Sequence, residues 1–272
     1  MQRNLFRYNK GMADIDLSAS QTGTLGRKVF FLHPQAFIQN QVVTELAQEE
    51  FEVYVAKDET KLRVLLRKYP DSIVFASINE ALKENVWEDW IKGVMSDPAT
   101  KGVAIGVLAS INDDEVRHKY TEEIKVKCGF THLRSDVMVI LRTLTAILNA
   151  VNAKGRRKYI RALVDGESNT TVNIPHSGGY VNGTIKDISV VGFSCTFPDD
   201  PELTKNSLFP DIQIRLQSQL LKVEGIVFGS RIDGNEKVYV VIFTQRVDPN
   251  MKSRIRKYIQ STLQTRMDSE LR

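Results

Sequence analysis

The sequence predicts two domains, an α/β domain with a parallel sheet followed by a small antiparallel β-barrel that carries a C-terminal helix. The chain has 272 residues, enough for two domains at about 150 residues each. Continuous apolar runs alternate with helical patterns in residues 28–150. Short strand-like segments separated by turn residues follow in residues 162–272, and the final segment has helical periodicity.

The first domain contains five short apolar runs, each followed by a segment with helical spacing. The predicted strands are KVFFLHP, EVYVAKD, SIVFASIN, GVAIGVLAS and FTHLRS. Pro70 ends the second helix, a charged helix is expected through Lys127, and Asp136 is a suitable N-cap for the last helix. Apolar strands that alternate with helices are typical of a parallel sheet covered on both faces. Five such units predict a flavodoxin-like domain.

The second domain alternates strand-like segments with turn residues. The predicted strands are RALVDGES, YVNGTIKDIS, GFSCTFP, IQIRLQSQ, LKVEGIVFGSRI and KVYVVIFTQ. The predicted turns lie at Gly178-Gly179, Asn182-Gly183, Pro198 to Pro201 and Asp233-Gly234-Asn235. About six short strands predict a closed antiparallel barrel, which leaves no exposed sheet edge.

The last segment places apolar residues along one stripe of a helix that begins near Pro249. The stripe consists of Met251, Ile255, Tyr258, Ile259 and Leu263. Such a stripe predicts a helix packed on the barrel. It is narrow and lacks Trp and Phe, so a membrane surface is not the expected partner.

Residues 1–27 have no hydrophobic periodicity, which predicts a flexible arm. They lack the apolar core and cleavage site of a secretory signal. No apolar run in the chain approaches the roughly 18 residues of a membrane helix. These patterns predict a cytoplasmic protein.

Cysteine, histidine and net charge exclude several classes of site. Cys128 and Cys195 lie far apart, and the four histidines are scattered, so we expect buried thiols and neither a disulfide framework nor a zinc site. The net charge of +4 does not by itself predict a nucleic-acid partner. Local positive charge could instead serve a small anionic ligand.

Two spaced motifs flank the start of the predicted barrel. Arg157 and Arg161 lie four residues apart within a basic linker, residues 151–161, and Asp187, Ser189 and Gly192 have D-x-S-x-x-G spacing. Each motif is common by itself. A solvated basic helix end would explain the first, and a turn-capping pair would explain the second. The two motifs together, in this order and followed by a β-rich segment, form a more specific pattern.

This pair of motifs resembles the PilZ domain, the bacterial receptor module for cyclic di-GMP. The resemblance implies a ligand-binding protein that is not an enzyme and needs no metal or cofactor besides this ligand. It assigns the site to Arg157 and Arg161, with Arg156 as a neighbouring helper, and to Asp187, Ser189 and Gly192.

These residue types fit that ligand chemically. An arginine fork can donate two hydrogen bonds to guanine O6 and N7 or to a phosphate. If KDISVVGFS is a strand, Asp187 and Ser189 lie on one face, where they could accept from guanine donors, while Ile188 and Val190 lie on the other. Gly192 permits positive φ or a close backbone approach.

Residues 28–150 resemble a response-regulator receiver domain in element order and size. That resemblance implies an acidic pair after the first strand, where Leu32, His33 and Pro34 stand, and an aspartate at the end of the third, where Ala76, Ser77 and Ile78 stand. Ser110 and Arg134 fall near the family's hydroxyl and lysine positions. The domain is therefore predicted to keep the receiver fold without phosphoryl chemistry, as a pseudo-receiver.

Two aromatic residues leave an alternative open. Trp87 and Trp90 lie three residues apart on a predicted helix. They fit core packing, and they would also fit the centre of a partner-binding face. His33, at a strand end, is expected to bond to a loop.

The predicted function is a cyclic di-GMP receptor that changes its interdomain arrangement and signals to an unidentified downstream protein. Two alternatives are a phosphorylation-controlled response regulator and a nucleic-acid-binding regulator that uses the basic linker. Hydrolysis of the dinucleotide is disfavoured, because no clustered acidic and histidine residues could hold catalytic metals.

Overall fold

The computed structural model describes residues 26–134, 136–164, 166 and 169–270. They fall into two compact units. The first runs to Lys158 and also takes the chain end from Met267, and the second is Tyr159–Arg266. Most of the predicted flexible arm, residues 1–25, lies outside the described part. Its last residue, Arg27, belongs to the folded first unit, because its backbone N–H donates to Ala153 O at 2.8 Å.

The first unit contains one parallel sheet. Its strands are β1 (Val29–Leu32), β2 (Val53–Ala56), β3 (Ile73–Ser77), β4 (Ala104–Ala109) and β5 (Phe130–His132). They lie in the order β2-β1-β3-β4-β5, with every neighbouring pair parallel. This is the flavodoxin-like order shared by receiver domains. The predicted fold of the first domain, with its five strands, is confirmed.

Five helices connect and follow these strands. They are α1 (Val43–Gln48), preceded by a π-helical segment (Ile38–Val42), α2 (Glu59–Lys68), α3 (Glu84–Ser96), α4 (Asp114–His118), continued by a π-helical segment (Lys119–Glu123), and α5 (Val137–Ala150). The charged helix therefore ends at Glu123 rather than Lys127. The N-cap prediction for Asp136 is confirmed, because its carboxylate accepts from the backbone N–H of Met138.

The two tryptophans pack inside this unit. Trp87 is 0% and Trp90 8% exposed, and their indole N–H groups donate to Glu80 O and Glu59 O. Burial removes the partner-face alternative. His33 Nε2 lies 3.1 Å from Glu59 Oε2 at the start of α2, and its ring contacts Trp87 edge-on.

The second unit contains the antiparallel barrel. Its strands are β6 (Ala162–Leu163), β7 (Thr170–His176), β8 (Gly179–Ser189), β9 (Gly192–Thr196), β10 (Leu208–Leu216), β11 (Gln219–Asp233) and β12 (Glu236–Phe243). The order is β6-β8-β7-β10-β11-β12-β9, and a β8–β9 pairing closes the barrel. The predicted barrel is confirmed. Residues 151–161 connect α5 to β6.

One strand and one turn were predicted wrongly. Strand β7 was missed, since its sequence TTVNIPH contains a proline and alternates apolar with polar residues. Asn182-Gly183 is not a turn but lies within β8. Gly183 is required there by crowding, because a Cβ atom would lie 2.6 Å from Thr196 O.

Two other predicted turns are confirmed as tight hairpins. Ser177 and Gly178 join β7 to β8 with φ of 42° and 85°. Gly234 and Asn235 join β11 to β12, with Gly234 at φ 59°. Positive φ at Ser177, Gly178 and Gly234 matches the right-handed twist of the paired strands.

Helix α6 (Pro249–Ser269) packs its apolar stripe on the barrel, as predicted. Ile255 is fully buried, and the Tyr258 hydroxyl lies 3.0 Å from Thr170 Oγ1 of β7. Among the helices of the described residues, none combines the length and apolar character needed to cross a membrane.

Candidate functional site

Strand β8 contains a bulge that turns Asp187 to the outside of the barrel. Ile185 pairs with Cys195, but Asp187 pairs with Ser194, so β8 has one extra residue between them. Ile185 and Ile188 are both fully buried in the barrel core. Bulges re-aim side chains in this way near functional sites.

The Asp187 carboxylate has a polar partner on each of its two oxygens. The Ser194 hydroxyl donates to Oδ2. Arg161 Nη1 lies 3.5 Å from Oδ1 in an ion pair whose side chains are 25% and 13% exposed. A carboxylate this sheltered needs such partners to offset its lost hydration.

Strand β6 brings Arg161 to this position. Ala162 and Leu163 pair with the end of β8, with Leu163 opposite Asp187. Arg161 directly precedes this pairing, so its guanidinium reaches the carboxylate. The structure thereby joins Arg161 of the R-x-x-x-R motif to Asp187 of the D-x-S-x-x-G motif.

Ser189 has a different environment from Asp187. It is 3% exposed, its hydroxyl donates to Gly192 O at 3.1 Å, and it accepts from the Val191 N–H at 3.4 Å. These bonds close the two-residue loop between β8 and β9. In this structure Ser189 has the turn-capping geometry that the sequence left open as an alternative.

Gly192 lies very close to the backbone of a neighbouring strand. A Cβ atom there would lie 2.3 Å from Val241 O. The approach is to strand β12 of the same barrel, which pairs with β9 through Gly192 and Ile242. Any side chain at Gly192 would push these two strands apart.

The remaining predicted site residues lie in the connecting segment. Arg156 is exposed and Arg157 half-buried. The Nε of Arg157 is buried and has no hydrogen-bond partner among the residues that the structure describes. The division between the two compact units follows Lys158, so it falls within the motif, between Arg157 and Arg161.

Ser194 is a site residue that the sequence prediction missed. It lies two positions beyond the D-x-S-x-x-G motif. A signal for it was present, because a two-residue loop that pairs Ser189 with Gly192 also pairs Asp187 with Ser194. Hairpin pairing, rather than motif spacing, would have identified it.

Both cysteines are free and buried, as expected. Burial raises the pKa of the Cys195 thiol well above its usual range, and the Asp187 charge raises it further. Burial also raises the pKa of Cys128 to about 11. Neither cysteine therefore provides a reactive thiolate at neutral pH.

The carboxyl ends of the parallel strands carry polar groups bonded to one another. Gln35 Nε2 donates to Glu80 Oε1 at 2.8 Å, and the Ser110 N–H donates to Asn79 Oδ1 at 2.7 Å. Arg134 is exposed. Within the described residues, no group of three or more His, Cys, Asp or Glu side chains could hold a metal ion.

Comparison with known families assigns the second unit. The family model described as "PilZ domain" matches residues 155–261, a range that includes both motifs. Residues 155–261 are a PilZ domain. Within it, Arg161 and Asp187 are the motif residues that the structure pairs.

Solved structures resemble each part of the chain weakly. A structure described as the PilZ domain with c-di-GMP of YcgR from Escherichia coli is 16% identical, with a TM-score of 0.35; the match covers 42% of this chain and 95% of that one. The K. pneumonia MrkH–c-di-GMP complex is 16% identical, with a TM-score of 0.36; the match covers 43% of this chain and 59% of that one. This chain thus spans less than two thirds of the MrkH chain.

The chemotaxis response regulator CheY4 of Vibrio cholerae is 19% identical, with a TM-score of 0.38, and the match covers 45% of this chain and 99% of that one. A search of the curated proteins returns no match. The assignment of residues 155–261 as a PilZ domain therefore depends on the family match. The fold of the first unit is assigned from its strand order.

Proposed function

We propose that this chain is a receptor, without enzymatic activity of its own, whose PilZ domain binds cyclic di-GMP and signals to a downstream protein. The observation that carries the proposal is the pairing of Arg161 with Asp187 on the outer face of the barrel. This ion pair brings together one residue of the R-x-x-x-R motif and one residue of the D-x-S-x-x-G motif, both within the matched domain. The predicted cytoplasmic location stays a prediction.

The pair supplies both kinds of group that a guanine base requires. Guanine presents the acceptors O6 and N7 on one edge, which an arginine fork can engage with two parallel bonds. Its N1–H and N2–H groups are donors, and a carboxylate is an acceptor for them. We assign Arg161 to guanine or phosphate acceptors and Asp187 to guanine donors.

The other motif residues have supporting roles in this proposal. Half-buried Arg157 would donate through the accessible part of its guanidinium to a phosphate or guanine acceptor. Exposed Arg156 would add positive charge next to the two phosphodiesters. Ser189 and Gly192 would shape the hairpin that presents Asp187.

Signalling would use the connection between the two units. Arg157 and Arg161 lie in residues 151–161, which connect α5 to β6, so a ligand bound there would act on the connecting segment itself. Such a ligand shifts the population of arrangements only as far as its affinity differs among them. Small-angle scattering profiles that are identical with and without cyclic di-GMP would contradict this part of the proposal.

Titration calorimetry with cyclic di-GMP tests the binding proposal. A bidentate arginine contact contributes about 1–3 kcal/mol, so Arg157→Ala and Arg161→Ala should each weaken binding by about tenfold to over a hundredfold. Arg215→Ala removes an exposed arginine from β10 of the same barrel and should bind like the wild type. Unchanged affinity in both motif variants would refute the assignment.

A further inference from the structure

Ser194 is a buried hydroxyl that faces the candidate site from outside its motif. Only 2% of the residue is exposed. Its cross-strand neighbours are Asp187 on β8 and Val240 on β12. Val240 is apolar, so Asp187 is the neighbour whose side chain can bond the hydroxyl, and the Ser194 hydroxyl donates to it.

This bond fixes the orientation of the carboxylate. The χ2 torsion of aspartate is broad, so a free carboxylate can rotate its oxygens. The Ser194 hydroxyl holds Oδ2, and Oδ1 then faces Arg161 Nη1 at 3.5 Å. One hydroxyl uses one of about four lone-pair positions on a carboxylate. Acceptor capacity therefore remains for a ligand.

The two serines of the hairpin have separate tasks. Ser189 bonds the backbone at Val191 and Gly192 and closes the loop. Ser194 bonds the side chain of Asp187. Of the two, Ser194 acts on the carboxylate that the proposed function assigns to guanine recognition.

We infer that Ser194 is a positioning residue for cyclic di-GMP recognition, and that it acts by holding the Asp187 carboxylate in its binding orientation. The inference depends on the proposed function. Ser194 need not touch the ligand. Its contribution is to hold the acceptor in place before the ligand arrives, which reduces the ordering cost of binding.

A pair of isosteric variants separates the hydroxyl from side-chain shape. Ser194→Thr keeps the hydroxyl, and Ser194→Val replaces it with a methyl group. In calorimetric titrations of the full chain with cyclic di-GMP, we expect Ser194→Val to bind about tenfold more weakly than Ser194→Thr, as for loss of one bond to a charged group. Thr196→Val removes another buried hydroxyl from β9 and should retain wild-type affinity.

The outcomes distinguish this inference from the proposed function. Absence of wild-type binding refutes both. Wild-type binding with equal affinities for Ser194→Thr and Ser194→Val refutes only the positioning role, and so does an equal loss in Thr196→Val. If the extra methyl group prevents folding, as judged by circular dichroism, Ser194→Ala replaces the pair. A tenfold weaker affinity in folded Ser194→Ala would support the role, and wild-type affinity would refute it.

Discussion

The strand ends of the α/β unit and the β8–β9 hairpin of the barrel both carry polar side chains, but these are arranged differently. At the strand ends, Gln35 bonds Glu80 at 2.8 Å, and Asn79 bonds the Ser110 backbone at 2.7 Å. On the hairpin, the Ser194 hydroxyl donates to the Asp187 carboxylate, which lies 3.5 Å from Arg161 Nη1. At the strand ends, the polar groups satisfy one another's hydrogen bonds. On the barrel, the 3.5 Å contact between Arg161 and Asp187 is long, and a ligand could replace it.

The strand order of a fold does not by itself establish a functional site. The α/β unit has the strand order of receiver domains, yet its third strand ends at Ser77 and is followed by Ile78 and Asn79. No aspartate stands there to accept a phosphoryl group. The barrel has both its fold and the charged residues of its motifs.

Breaking one polar pair in each unit should give the largest contrast. Asp187→Ala removes the guanine acceptor and leaves Arg161 without its carboxylate, so cyclic di-GMP affinity should fall by about tenfold to over a hundredfold. Gln35→Ala breaks the pair with Glu80 and should leave affinity unchanged. Calorimetry on both variants checks this, and equal effects would abolish the distinction between the two regions.

Filling the space at Gly192 should destabilise the barrel. A Cβ atom there meets Val241 O at 2.3 Å, and overpacking of this kind costs about 1–3 kcal/mol. Gly178 is not a suitable control. It has open space around its Cβ position, but its φ of 85° is a backbone conformation that alanine disfavours. Gly229 has open space without positive φ, so Gly229→Ala is the matched control in urea unfolding. Equal stabilities of Gly192→Ala and Gly229→Ala would contradict the crowding argument.

The smallest effect is expected at Ser189. Ser189→Ala removes the hydroxyl that closes the β8–β9 loop, which should lower the free energy of unfolding by about 0.5–1.5 kcal/mol. Cyclic di-GMP affinity of the folded protein should fall less than in Asp187→Ala. Measuring both unfolding and affinity separates the two roles. A loss of affinity as large as that of Asp187→Ala, with unchanged stability, would make Ser189 a direct ligand contact.

The parts of the fold with strong local patterns were predictable from the sequence. All five parallel strands were found, because continuous apolar runs between helices are typical of strands buried on both faces of a sheet. Strand β7 was missed because polar residues and Pro175 weaken its pattern. Asn182-Gly183 resembles a hairpin turn in sequence, but crowding from Thr196 explains its glycine.

The site was predictable as a set of residues and not as an arrangement. Spacing identified Arg161 and Asp187, which the structure pairs. The bulge before Asp187 is a feature of how β8 pairs with β9. The spacing of residues in the motif carries no information about this pairing. The same register brings Ser194 to Asp187, and it places Ser189 at the end of β8, next to the loop.

Titration of the wild-type chain with cyclic di-GMP and cyclic di-AMP tests the central claim most directly. Adenine keeps N7 but has a donor in place of O6, so it cannot accept both bonds of an arginine fork. We predict saturable binding of cyclic di-GMP and affinity for cyclic di-AMP lower by at least about tenfold. Equal affinity for both dinucleotides, or no saturable binding of cyclic di-GMP, would contradict the account.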